Sequence, residues 1–534
     1  MKKIITIFIL SLFINGPFAL AAVEGPTTIP VTPAAPKFTD AERQAELAQR
    51  RAAVAAKMVD KSVLILLSTE PKLYTNDVDY VYRQENNLYY LTNLKQKDAT
   101  LVITKDGSSV REFLFIPQPD PRNETWNGKM YTYADVTRIS GITKVTDAVE
   151  KDKFLQSIRD KKNFASINNV AEIAAPVTVY LLLPEGDRDT DGLREFGVEN
   201  ELAKQLSSSY KVENAQPIFA DLRQIKSPYE LRMLQHAIDI STEAHMRSWA
   251  MAGRAKMEYE VQAEVEYTFR RRNADYWGYP SIVGCGPNAT TLHYEESQGS
   301  ITNGSLLLMD VGAEYEHYSA DVTRTFPVNG KFTKEQSEIY QIVYNAQEAA
   351  AKAAKPGATM TDLSNAANAV IVDGLFKLGL ITDKTSSQYR IWYMHGLGHW
   401  LGMNVHDVGR YEIPLRSGMT YTNEPGIYIR EDALKYLPDT PEWNAFKAKI
   451  GPAFEKYKNI GVRIEDDMVI TPTGAEWMTK NLPRKMEDIE AFMAVGPKQF
   501  FHDAAEIMPA SVSLVETLAL LPKSEPFEVQ LLHR

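Results

Sequence analysis

Three of the nine histidines in this chain fall within "HGLGHWLGMNVHDVG", residues 395–409. An imidazole can bind a metal, move a proton or donate a hydrogen bond to developing negative charge. Gly396, Gly398 and Gly402 argue against a regular helix and for a loop or strand edge, so the four-residue spacing of His395 and His399 does not by itself put them on one face. A third histidine, His406, precedes Asp407. Chance, a satisfied core and a metal site are the three readings open to such a cluster.

The carboxylates discriminate between them. Asp310 ends the apolar run of "LLLMDVGAEYEHYSADVTRTF", and Asp321 lies in a second β-like segment. Two antiparallel strands turning near Glu314–Tyr318 would bring both aspartates to one point. The bland alternative is a pair of aspartates in surface turns. A charge at the end of a buried strand is expensive unless it is paired or metal-bound. Two more segments repeat the pattern. "TYTNEPGIYI" places Glu424 at a Pro-Gly turn, and "IGVRIEDDMVIT" places Glu465 after an alternating segment, with Asp466 and Asp467 following. Each alone reads as an acidic turn beside a strand. Taken together, Asp310, Asp321, His399, Glu424 and Glu465 offer four carboxylates and one imidazole. That donor set suits Mn²⁺, Co²⁺, Fe²⁺ or Zn²⁺, and it is large enough for a two-metal site that activates water.

Several elements must position these groups. Thr39 and Glu42 have capping-box spacing at the head of a helix, as do Ser227 and Glu230, with Pro228 at the first helical position. The second helix is expected to run to about Ala252. "SVLILLS" (62–68), "TLVIT" (100–104) and "EFLFIP" (112–117) read as strands. The expected organisation is a signal peptide over 1–21, an exposed proline-rich leader over 22–37, an α/β amino-terminal domain over 38–220, an α+β catalytic domain over 221–497 and an extension of unknown role over 498–534.

The remaining composition narrows the classes. At 534 residues with 44% hydrophobic content, the chain is globular and too long for one core. Lys2 and Lys3, the run "IITIFILSLFI" and the small residues "ALA" at 19–21 have the layout of a secretory signal. Its apolar run is short for a bilayer span, and no cysteine follows it for lipidation. A bacterial periplasmic or secreted product with no stable membrane anchor is expected. The formal net charge of −10, taken to −12 by loss of Lys2 and Lys3, and the lack of a basic stripe disfavour nucleic acid. The single cysteine, Cys285, excludes an intramolecular disulfide and reads as a small buried side chain.

"GCGPNATTLHY", "DVGAEYEHYSADVTRTFPVNGKFT", "HGLGHWLGMNVHDVG", "NEPGIYI" and "GVRIEDD", in this order over about 223–495, resemble the aminopeptidase P and prolidase branch of the pita-bread metallopeptidases. "YRQENNLYYLTNL" (82–94) is similar to the family's first domain. The resemblance implies a pita-bread catalytic fold with two divalent ions, Mn²⁺ first and Co²⁺ or Zn²⁺ as alternatives. It implies that Asp310 binds one metal, that Asp321 and Glu465 bridge both, and that His399 and Glu424 complete the set. It further implies that His293 and His406 contact substrate and the tetrahedral intermediate, that His395 stands near the proline side of the cleft, that Glu424 shuttles the water proton, and that Arg463 holds an acidic ligand. The implied activity is release of the residue preceding a penultimate proline. That bond is a tertiary amide with no N–H and a fixed φ, which general peptidases handle poorly. Prolidase action on Xaa-Pro dipeptides is the alternative, and an inactive peptide-binding protein the remoter one. A dimer or tetramer is expected from the family. Residues 430–460 are longer than a minimal enzyme needs and are expected to form a flap over the cleft.

Overall fold

The computed structural model describes residues 28–167, 170–184, 186 and 189–507. The expected signal peptide, the first part of the leader and the tail from 508 lie outside the described residues.

The amino-terminal half is a mixed six-stranded sheet in the order Lys211–Asn214, Thr178–Leu181, Ser62–Leu67, Thr100–Asp106, Ser109–Ile116 and Val145–Asp147. The three central strands form an antiparallel meander, and the outer strands join in parallel. Both faces are covered, and the two-residue side-chain period sorts the contacts. Val63 and Ile65 face one apolar cluster with Val102, Phe113 and Phe115. Leu64 and Leu66 face another with Leu101, Ile103 and Leu114. The second cluster runs on into Met233, Leu234, Ala237, Ile238, Leu401 and Met403, so the two halves share a core.

The helix Pro228–Ala252 explains that continuity. Ser227, Pro228 and Glu230 form the expected capping box. The helix is buried nearly all round because it packs between both halves, against Glu258–Arg271 on one side and the amino-terminal core on the other. The limits expected at 220/221 and 497/498 fall inside the helices Gln216–Arg223 and Met486–Ile507. Ile218 and Phe219 are buried, which carries the first of these helices past the expected limit. The segment that follows is tied to the catalytic half through an Ile225–Met419 bridge and the Lys226 N–H to Gly418 carbonyl bond.

Two expectations are corrected. The leader is not a free exposed segment from residue 28 on. Ile29 packs against the catalytic core, and the N–H and hydroxyl of Thr32 both donate to Glu243 at 2.7 Å. Residues 430–460 do not form a flap over the site. They fold into a short turn and the helix Pro441–Tyr457, whose Phe446, Ile450, Phe454 and Tyr457 are buried in the main core. Their apolar period turns them inward. Cys285 is buried in the strand Ile282–Cys285. Among the described residues no helix is long and apolar enough to cross a membrane.

Candidate metal centre

The four carboxylates with ligand-type side chains sit at the ends or breaks of strands, and the histidine on an extended segment beside one of them. Leu306–Asp310 pairs with Thr323–Pro327, and the intervening chain forms a second small hairpin, Ala313–Tyr315 with Tyr318–Ser319. Asp310 ends the first strand. Asp321 lies in the gap before the last strand rather than inside it. The turn is at Glu316 and His317, both with positive φ. Glu424 occupies the break between Thr420–Asn423 and Gly426–Tyr428, and Glu465 the break between Gly461–Arg463 and Asp466–Ile470. At each break the sheet changes partner, and the backbone is tied across to another segment of the site. The Glu465 N–H donates to the Thr323 carbonyl at 3.0 Å, and the Glu424 N–H to the Leu397 carbonyl at 2.9 Å.

His399 lies on an extended segment beside Thr420–Asn423, with the Thr422 N–H bonded to its carbonyl at 2.9 Å. Gly398 makes that approach possible, since a Cβ there would overlap the Thr422 carbonyl. Gly396 has open space around its missing Cβ, so close packing does not explain that glycine.

The side chains converge. His399 Nε2 is 3.2 Å from Asp321 and 3.3 Å from Glu424. Its Nδ1 donates to the Trp400 carbonyl at 3.0 Å, which fixes the ring and leaves Nε2 for the site. One ligand atom each from Asp321, His399 and Glu465 lie within 4.8 Å of one another. Asp310 is ion-paired with Arg463 and accepts from the Tyr279 hydroxyl. Arg463 also donates to the hydroxyls of Thr323 and Tyr428, at 3.0 and 2.8 Å, and Thr323 passes a 2.6 Å bond to Glu465. These groups open into a cavity of about 310 Å³ lined also by His293, Glu295, His395 and His406.

His406 stands edge-on to His399, ring centroids 4.3 Å apart. Both ring nitrogens of His395 are engaged, Nδ1 with the Gly396 carbonyl at 2.7 Å and Nε2 with the Tyr428 hydroxyl at 2.8 Å. His395 is therefore a loop histidine with both ring nitrogens satisfied that still lines the cavity. Asp466 points away from the cavity to Arg324, and Asp467 receives the Asp321 N–H at 3.2 Å.

Sequence reasoning missed Tyr279, Thr323, Tyr428 and Asp467. Thr323 was within reach, because it stands two positions after Asp321 and so on the same face of an extended chain. Nothing local marked Tyr279.

The electrostatics describe a cation site. Burial raises the Asp321 carboxyl to about 6, against the opposing hydrogen bond from His399. Burial and the neighbouring Asp321 and Glu424 charges raise Glu465 well above its ordinary value. Burial acts against a charged Glu424, but its bond to His399 prevails and holds it at about 2. Burial likewise disfavours a charged His399, yet the bonds to Asp321 and Glu424 keep its pKa well above the usual 6.5. A positive charge among these oxygens is thus strongly favoured, and a divalent ion supplies it as a proton does. Three buried carboxylates and the half-buried Glu424 face one buried guanidinium, so the donor set fits two divalent cations. Burial lowers both His395 and His406, which are neutral at pH 7.

Comparisons with known proteins agree with this geometry. Residues 232–472 match metallopeptidase family M24, and residues 47–166 match the aminopeptidase P amino-terminal domain. The chain is 34% identical to an Xaa-Pro aminopeptidase of Haemophilus influenzae over 84% of its own length and 97% of that protein. It is 30% identical to human Xaa-Pro aminopeptidase 3 over 81% of its own length and 80% of that protein. The crystal structure of Escherichia coli aminopeptidase P with the inhibitor Pro-Leu superposes with a TM-score of 0.72 at 32% identity, covering 85% of this chain and 99% of that one. Strand breaks that gather four carboxylates and an imidazole, on a chain matched at this length, place the protein in the aminopeptidase P branch of metallopeptidase family M24.

Proposed function

We propose that this protein is a metal-dependent aminopeptidase that releases the first residue of peptides with proline in second position. The observation that carries this reading is the convergence of Asp310, Asp321, His399, Glu424 and Glu465 in one cavity whose wall also bears three further histidines. In this reading these five would together hold two divalent ions. Hard oxygen donors with one nitrogen favour Mn²⁺, with Co²⁺ or Zn²⁺ as alternatives. The bound ions supply Lewis acidity to the water and to the scissile carbonyl.

The chain's own residues do the rest. Glu424 is ionised at neutral pH and is oriented by the Thr422 hydroxyl at 2.9 Å, so it can take the water proton and return it to the leaving proline nitrogen. His406 and His293 offer N–H groups to the developing oxyanion. The His395–Tyr428 pair forms a rigid wall on the proline side. Arg463 and Tyr279 fix Asp310.

Aminopeptidase action is favoured over prolidase action by the charges in the cavity. Among the described residues that line it, the one lysine or arginine is Arg463, already bonded to Asp310, Thr323 and Tyr428. Arg390, just outside the lining, donates to the His395 carbonyl at 3.0 Å, and Glu295 on the rim would repel the carboxylate of an Xaa-Pro dipeptide. A longer peptide carries that carboxylate out of the cavity. The expected export to a periplasm or medium rests on the amino-terminal pattern of basic, apolar and small residues. Self-association is supported by exposed Leu73, Tyr74, Val78, Tyr80 and Val81 on and beside one hairpin.

The test is turnover of an Xaa-Pro-Yaa tripeptide and an Xaa-Pro dipeptide by metal-stripped protein reloaded with Mn²⁺. Preference for the tripeptide supports the proposal. Preference for the dipeptide makes the protein a prolidase, and silence on both with metal bound makes it a binding protein.

A further inference from the structure

We propose that Glu258, outside the cavity, is a positioning residue that pins the wall segment 285–299 and thereby sets where His293 stands. Glu258 is the first residue of the helix Glu258–Arg271 and has no solvent exposure. Its carboxylate is spent on that one segment. Oε1 accepts from the Cys285 N–H at 2.7 Å and from the Asn288 amide at 2.9 Å. Oε2 accepts from the Tyr294 hydroxyl at 2.9 Å and from the Gly299 N–H at 2.7 Å. The Glu258 N–H closes the arrangement on the Gly299 carbonyl at 3.0 Å. One side chain thus ties both ends of the segment and two points inside it.

A buried anion held by neutral donors needs a favourable field, and the helix N-terminus supplies it. Gly299 is matched to this contact. A Cβ at that position would lie 2.7 and 2.8 Å from the two carboxylate oxygens. The segment has a second seat where Ala289 meets Gly461, on the strand that carries Arg463, with Ile282, Leu308 and Tyr428 packed around it. Between these anchors the chain at 291–296 is mostly exposed, and it brings Leu292, His293 and Glu295 to the cavity. His293 and His406 line the same cavity. A second tie inside the segment, the Tyr294 hydroxyl accepting from the Asn288 amide at 3.0 Å and the Gln298 N–H at 3.2 Å, is itself held by Glu258 through the bond that this hydroxyl donates to it.

The role given to His293 rests on the peptidase reading, whereas the anchor does not. The test therefore has two readouts on metal-loaded full-length protein. The first is amide exchange across 285–299 in Glu258→Gln, which replaces an all-acceptor group with one that presents a donor to donors. Faster exchange confined to this segment, with unchanged metal content, is expected. Unchanged exchange, or loss of metal, overturns the anchor. The second is a double-mutant cycle on a tripeptide substrate. Glu258→Gln is expected to lower kcat/KM about 10²-fold, the scale of a misplaced cavity group. In a His293→Ala background it is expected to change kcat/KM by less than about twofold. Additive losses, or wild-type turnover in the single variant, overturn the link to His293. If Glu258→Gln does not fold, Tyr294→Phe removes one of the four donors and must show the same non-additivity with a smaller loss. Wild-type protein inactive on the peptide would defeat the peptidase reading, and the exchange experiment would still decide the anchor.

Discussion

The floor and the walls of the cavity are built by different means. The floor carries four carboxylates at strand ends or breaks and His399 on an adjoining extended segment, where neighbouring backbone segments bond directly to one another: Glu465 to Thr323, Glu424 to Leu397, Thr422 to His399. The walls carry His293 and His406 on loops, each fixed by a buried carboxylate belonging to no part of the floor. For His293 that carboxylate is Glu258, with neutral donors. For His406 it is its neighbour Asp407, held by Arg223 at 2.5 Å and Lys226 at 3.1 Å, all three nearly inaccessible. Arg223 also reaches Asn87 of the amino-terminal half at 2.8 Å. Backbone pairing sets the floor, while the walls depend on contacts between distant parts of the chain. Metal binding and transition-state contacts should therefore separate on mutation.

The largest effect is expected on the floor. Asp321→Ala should lower turnover by about 10³-fold or more, the scale of a lost electrostatic contact in a catalytic site, together with loss of metal. Wild-type metal content in that variant, read by elemental analysis, would break the contrast. Asp407→Ala removes the carboxylate that Arg223 and Lys226 share and should destabilise the fold by about 3–5 kcal/mol, measured by chemical denaturation. Burial alone would raise the Asp407 carboxyl, but Arg223 and Lys226 hold it below its ordinary value. Its contribution is complete above the unfolded value of about 4 and is lost as pH falls through the lower folded value.

His406→Ala should keep both metals and lose about 10²-fold in kcat. Loss of metal there would move His406 from wall to floor. The pH dependence sharpens the same division. Protons compete with cations for Asp321, raised by burial to about 6, and for Glu465, raised by burial and its acidic neighbours well above its ordinary value. Metal uptake should weaken as pH falls from 7 to 5, as read by titration calorimetry, and an affinity unchanged over that window would contradict the account. The smallest change is expected at the rim. Glu295→Gln should raise the dipeptide-to-tripeptide activity ratio by about two- to fivefold, a modest screened charge effect. A fall in the ratio would show that Glu295 does not repel the dipeptide carboxylate.

The floor was legible in the sequence because its physics is local. Asp310 and Glu465 each follow an apolar or alternating run, Glu424 stands at a Pro-Gly turn, and those juxtapositions are visible without coordinates. Asp321 was legible as a partner of Asp310, but the small second hairpin between them was not, because it depends on Glu316 and His317 adopting positive φ. His317 is held there by stacking on Tyr89 with ring centroids 3.8 Å apart, a contact from the amino-terminal half that no local pattern announces. The wall anchors were illegible for the same reason. Nothing local distinguishes Glu258 from an ordinary first-turn glutamate, and Arg223 and Asp407 lie far apart in the chain. The segment 430–460 misled because its extra length was visible, while the burial of Phe446, Ile450 and Phe454 depends on what they pack against.

The most direct test of the central claim is anomalous diffraction from crystals of the Mn²⁺-loaded protein. The account predicts two peaks about 3.5–4 Å apart, the spacing of two-metal hydrolytic sites, with Asp321 and Glu465 reaching both. A single peak, or a pair of peaks that leaves either bridging carboxylate uncoordinated, would contradict it.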